Sequence, residues 1–165
     1  KKEVPKTVAA INKYATGADE MTSIILQFPE HKSMGIAMTC LRIPTNTDGH
    51  NSGGPAIKIQ GPLGEIQVMG PAFKPLQYRI VKKDGGGEIE VVDCPVPFDK
   101  ERDWGHGMFW EADEAADAII NGRKEGRYLG LDESVLIMDI MDQVRKQGGL
   151  AFPEKIETLE YPTQL

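Results

Sequence analysis

A chain of 165 residues is long enough for one domain with its own core and short for two. Its apolar share of 40% and charged share of 27% are ordinary for a globular fold, and no run approaches the roughly eighteen apolar residues of a membrane helix. The net charge of −6, with its lysines scattered, argues against a nucleic-acid partner, because neutralising phosphates takes a clustered surplus of Lys and Arg.

The chain opens on Lys1, and KKEVPKTVAAINKY has no apolar signal core, which reads as a fragment or a processed chain. Thr7 to Tyr14, Glu20 to Phe28 and Met34 to Ile43 are predicted strands, separated by the turn-forming ATGAD and PEHKS. The second places Thr22, Ile24, Leu26 and Phe28 on one face and Met21, Ser23, Ile25 and Gln27 on the other. The third is apolar or small on both faces. Strands of that kind need cover on two sides, from a loop or from a second copy; the interface candidates are Met21, Ser23, Ile25, Ala37 and Thr39. Cys40 and Cys94 are too few for a disulfide scaffold and read as thiols in a reducing, cytoplasmic setting.

Two hairpins follow. Ala56 to Gln60 and Gly64 to Met69 flank GPLG, with Pro62 and Gly64 suited to a type I turn; Leu76 to Val81 and Glu88 to Val92 flank the glycine-rich KKDGGG. Their alternation sets Ile57, Ile59, Ile66, Val68, Ile89 and Val91 against polar neighbours, so each strand is expected to bury one face. After Pro97 the period becomes helical. Phe109, Ala112, Ala115, Ala116, Ile119 and Ile120 form one stripe, ended by Gly122. A second helix is expected from an N-cap at Asp132, with Leu131 and Leu136 as a staple, to Gly148, burying Leu136, Ile137, Ile140, Met141 and Val144. The proline-broken tail after Gly148 is predicted to lack helix. The whole reads as an α+β domain over residues 1–165: an open, mostly antiparallel β-sheet with helices on one face.

Chemistry is sparse. His31, His50 and His106 lack metal-ligand spacing, no G-x-S-x-G elbow occurs, and neither cysteine has an adjacent base, so no catalytic residue and no metal site is assigned. Gly105-His106-Gly107 opens a helix but fails as a dinucleotide fingerprint: Trp110 stands at the third glycine position and a proline-bearing loop precedes it. The informative cluster is Arg102, Asp103, Trp104, His106 and Trp110. Aromatic, cationic and imidazole groups at a helix entrance suit a polyol or cyclic diol, and Trp110 lies off the alanine stripe. The alternative is a tryptophan lid with Arg102 in a surface ion pair.

GHGMFWEADEAADAIINGRKEG, LDESVLIMDIMDQVRKQGGLAFPEKIE and the upstream QGPLGEIQVMGPAFKPLQYRIV carry a resemblance over nearly the whole chain. The sequence resembles the C-terminal domain of the glucose-fructose oxidoreductase/inositol dehydrogenase (Gfo/Idh/MocA) family, nearest its dihydrodiol and D-xylose dehydrogenase branch and the fungal forms above all. Gly105, Gly107, Met108, Glu111 and Ala112, with Asp132 to Ser134, carry the motif match. The resemblance implies hydride transfer from a secondary alcohol of a sugar or cyclic diol to NADP or NAD. It also implies a homodimer through the sheet, and a partner Rossmann domain with a catalytic Glu-Lys-Pro motif. That motif is not reproduced here, since Phe73 precedes Lys74-Pro75 and Ile156 follows Glu154-Lys155. The chain alone is therefore expected to bind no cofactor and to be inactive, a substrate-binding and oligomerisation domain without its catalytic half. The rival implied by the same family is a non-catalytic sugar-sensing or protein-interaction module.

Overall fold

The structure, a computed structural model, describes residues 3–84, 86, 88–97, 101, 105 and 107–160. In chain order its elements are β1 (Lys6–Lys13), β2 (Asp19–Phe28), β3 (Ser33–Cys40), β4 (Ile57–Gly61), β5 (Gly64–Val68), β6 (Gln77–Lys82), β7 (Ile89–Asp93), α1 (Phe109–Ile120), α2 (Leu131–Gln147) and α3 (Glu154–Glu157). Every predicted strand is present. All pairs are antiparallel, in two sheets ordered β1-β2-β3 and β4-β5-β6-β7, which gives the α+β class that the residue pattern predicts. The ladder breaks after β3, in the glycine- and proline-bearing stretch before β4, so the open sheet is two. The chain divides into two compact units, Lys1–Arg42 with Tyr128–Leu165, and Ile43–Arg127. Among the described residues no helix is long and apolar enough to cross a membrane.

In the first unit the register lays Val8, Ile25 and Ile36 side by side, then Ala10, Ser23 and Met38. Strand alternation puts Ala9, Ile24 and Ala37, then Ile11, Thr22 and Thr39, on the opposite face. α2 packs along β1 on that second face. Its C-terminal Gly148 comes so close that a Cβ would stand 2.4 Å from Ile11 Cδ1. Gln147 completes the contact by acting as one more strand residue. Its amide donates to the Thr7 carbonyl and accepts from the Ala9 N–H, both at 2.9 Å, which satisfies backbone groups that an edge strand would leave to water. Thr22 and Val144 are the buried residues of this layer.

Three expectations about the helices need correction here. Gly130, not Asp132, is the N-cap of α2; Asp132 sits in its first turn, and Leu131 is exposed. Leu136, Ile140 and Val144 turn inward, whereas Ile137 and Met141 are half-exposed, because the sheet under the helix is only three strands wide. The tail does form a turn of helix, α3, which Arg145 secures by reaching Glu157 at 3.4 Å while its guanidinium lies 4.5 Å from the Phe152 ring centre.

In the second unit both hairpins occur as predicted, the first with Gly61 paired to Gly64 across Pro62-Leu63. Its apolar face carries Ile57, Ile59, Ile66, Val68, Tyr78, Ile80 and Val92. The other face is a polar ladder: Gln60 and Gln67 donate to Glu65, and Gln77 bridges Arg79 to Asp93. Ile89 and Val91 fall on that polar side, opposite Val81 and Arg79, and Val92 takes the apolar place. β7 thus presents the parity opposite to the one its alternation predicts, since a five-residue strand apolar at three positions does not say which parity faces inward.

α1 ends as its glycine requires. Arg123 N–H reaches the Ala118 carbonyl and Gly122 N–H that of Ile119, the paired bonds of a Schellman cap, with Gly122 at φ +65° just beyond the last helical turn. The expected buried stripe is not buried: Ile119 and Ile120 are 78% and 83% exposed, and the residue turned inward is Ala118. The charged face decides this, because Glu114 and Asp117 are held by arginines of the following loop.

Candidate functional site

The entrance to α1 is built on backbone. Trp110 N–H bonds the Gly107 carbonyl and Glu111 N–H that of Met108, both at 3.1 Å, so the helix starts with tight turns and no side-chain cap. Gly107 is buried at φ +91°, and a Cβ there would stand 2.6 Å from Cζ3 of Trp110. Only a residue without a side chain lets the indole lie on the backbone at this point. Trp110 also meets Phe109, ring centres 4.7 Å apart, and remains 49% exposed. The indole therefore rests on its own helix entrance with half its surface open.

Of the sequence-predicted pocket residues, Arg102, Asp103, Trp104 and His106 lie outside the described residues, and Trp110 is placed as above. The structure adds Lys74, whose ammonium donates to the Gly105 carbonyl at 3.3 Å across a separation of 31 residues. Nothing in local spacing points to that contact. Further along α1, Arg123 pairs with Glu114 at 3.0 Å and with Asp117, while Arg127 pairs with Asp117 and donates its backbone N–H to Glu114 at 2.7 Å. These bonds fix the loop from Arg123 to Arg127 on the helix.

The carboxyl of Glu114 titrates below its usual range, held first by the Arg127 N–H and then by Arg123; that of Asp117 is lowered first by its bond to Arg127. Groups with a depressed folded pKa stabilise above the unfolded value and lose that contribution as pH falls through the folded one. Melting temperature should therefore decline as pH drops from about 5 toward 3, and Asp117→Asn should flatten the decline. An unchanged pH profile in Asp117→Asn would show that Asp117 contributes nothing.

The interface candidates divide between two faces. Met21, Ser23 and Ile25 share the helix-free face of the first sheet, whereas Ala37 and Thr39 pair with Ile24 and Thr22 on the side that meets α2. Strand β3 supplies Met34, Ile36 and Met38 to the helix-free face in their place, all well exposed beside Val8 and Ile25. Sequence alternation within each strand was legible, but only the register showed which parity of β3 lies beside Ile25. The same unit holds a cleft of about 730 Å³ lined by Leu26, Phe28, Leu136 and Ile140. Its polar rim is already engaged: Glu3 accepts the N–H groups of Glu30 and His31 and pairs with the His31 ring, closing the β2–β3 turn. Burial would raise the Glu3 pKa, and those backbone bonds outweigh it, so the group titrates low.

These residues do not fit a dinucleotide. The described strands are all antiparallel, not the parallel strands joined through a helix that bring a pyrophosphate to a helix N-terminus. No grouping of His, Cys, Asp and Glu among the described residues has metal-site geometry.

No family model matches the chain. It is 49% identical over 161 residues to the D-xylose 1-dehydrogenase (NADP(+)) of Hypocrea jecorina, a match covering 97% of this chain and 40% of that enzyme. The trans-1,2-dihydrobenzene-1,2-diol dehydrogenases of Homo sapiens and Sus scrofa are 29% and 28% identical over 153 residues, covering 91% of the chain and 41% and 42% of their own lengths. The chain spans about two fifths of the relatives it matches. Nearly its whole length is thus homologous to the C-terminal part of these dehydrogenases, which are members of the glucose-fructose oxidoreductase/inositol dehydrogenase family.

Proposed function

We propose that this chain is the substrate-side and dimer-forming part of an NADP-dependent dehydrogenase, which moves hydride from a secondary alcohol of a sugar or cyclic diol to the nicotinamide. The observation that carries the proposal is the 49% identity to an NADP-dependent D-xylose dehydrogenase over 97% of the chain. In this reading the cofactor binds a Rossmann domain outside these residues and supplies the hydride acceptor. The residues of this chain contact and orient the substrate. The segment from Arg102 to Trp110 offers cationic, imidazole and indole groups suited to hydroxyls and to the apolar faces of a ring. Two free thiols, Cys40 and Cys94, suit the cytoplasm.

Two measurements test this. The 165-residue chain alone should show no saturable NADPH binding in a fluorescence titration and no turnover of xylose or a dihydrodiol. In the chain joined to a Rossmann domain, Trp104→Ala or Arg102→Ala should raise the substrate KM by roughly tenfold, the scale of one lost specific contact, with cofactor KM unchanged. Micromolar NADPH binding by the chain alone would overturn the division of labour. A joined protein that binds sugar without oxidising it would favour the sensing module.

A further inference from the structure

The contacts around residues 70–74 reach the α1 entrance from the turn between β5 and β6. The loop from Thr45 to Asn51 grips that turn through side-chain oxygens. Asn51 Oδ1 accepts the Gly70 N–H at 2.8 Å, Thr45 Oγ1 accepts the Ala72 N–H at 3.1 Å, and Asn46 Oδ1 accepts the Asn51 N–H at 2.9 Å. The grip is close: a Cβ on Gly70 would stand 2.9 Å from the Thr45 carbonyl and 3.0 Å from Asn51 Oδ1. Lys74 N–H then closes the turn on the Pro71 carbonyl at 3.1 Å, and its ammonium holds the Gly105 carbonyl at 3.3 Å. Two residues beyond lies buried Gly107, on which the Trp110 indole rests.

We infer that Lys74 is a positioning residue, which through the Gly105 carbonyl fixes the Gly107–Trp110 entrance of α1 and with it the surface offered to the substrate. The effect on substrate rests on the function proposed above; the effect on Trp110 does not. A lysine suits the task because one ammonium donates several bonds from the end of a long stem, and a carbonyl so held cannot rotate to follow solvent. The turn that carries Lys74 is itself braced by the Thr45 to Asn51 loop, so displacement of the ammonium is not absorbed by movement of its base. Orientation of this kind acts on affinity and leaves the chemical step alone.

The experiment compares Lys74→Met with Lys74→Arg. In this chain carrying Trp104→Phe, so that Trp110 is the remaining tryptophan, acrylamide quenching of the indole should rise in Lys74→Met and return in Lys74→Arg, with the melting temperature of both near that of the parent. In the chain joined to its Rossmann domain, Lys74→Met should raise substrate KM roughly three- to tenfold, the scale of one exposed charge-assisted hydrogen bond, with kcat and cofactor KM held. Unchanged quenching in Lys74→Met overturns the inference, as does a rise that Arg fails to reverse. If quenching responds and the joined protein has no dehydrogenase activity, Lys74 keeps its positioning role and the proposed function fails instead.

Discussion

Ile25→Asp or Ile36→Asp should convert the proposed dimer to monomer. Both side chains lie abreast with Val8 on the helix-free face of the first sheet, where Ile25 and Ile36 are 41% and 78% exposed, and Met34 and Met38 extend the same surface. Burying one such side chain is worth about 1.5–3 kcal/mol, and an aspartate placed there adds the cost of desolvating a charge. In a two-fold interface each substitution counts twice, so the dimer constant should weaken by roughly a hundredfold or more. Sedimentation equilibrium over a concentration series reads this directly. Thr39→Asp, which alters the opposite face, is the control and should leave association intact. A parent protein that stays monomeric at high concentration, or an Ile25→Asp variant with unchanged mass and solubility, would exclude this face.

Gly64→Ala should cost the second unit more stability than any other single methyl group discussed here. Gly64 opens β5 at φ +149°, and a Cβ built on it would stand 2.1 Å from the Val81 carbonyl oxygen and 3.1 Å from the Lys82 Cα. Both obstacles are backbone of β6, fixed on its far side by pairing to β7, so no rotamer change relieves the contact. Strain at the dihedral and displacement of a paired strand add, for an expected loss of about 3 kcal/mol. For a chain of this length that is a fall in melting temperature of roughly 6–12 °C. Pro62→Ala in the same turn touches neither term and should cost less than about 1 kcal/mol, mostly through unfolded-state entropy. A Gly64→Ala protein melting within a degree or two of the parent would show that the hairpin tolerates an outward shift of β5.

The substrate proposal and the dimer proposal use different surfaces, and their experiments fail separately. Lys74 belongs to the second unit, while Ile25 and Ile36 belong to the first.

The amino-acid sequence determined strands β1 to β7, helices α1 and α2, and the class. Turn chemistry at Pro62-Leu63, at Gly86 and at Gly122 marked the reversals and the helix end, because those backbone conformations restrict residue choice within a few positions. Period-two and helical spacing separated strands from helices for the same local reason. What required tertiary structure was direction. The phase of β7 and the parity of β3 beside Ile25 each depend on a partner strand, and the exposure of Ile119 and Ile120 on the arginines that hold the charged face of α1. An amphipathic pattern says that one face is apolar, but not whether anything in the same unit covers it. The bond from Lys74 to Gly105 and the strand-like amide of Gln147 on β1 lay beyond reach for the same cause, since each joins residues whose proximity is created by the fold.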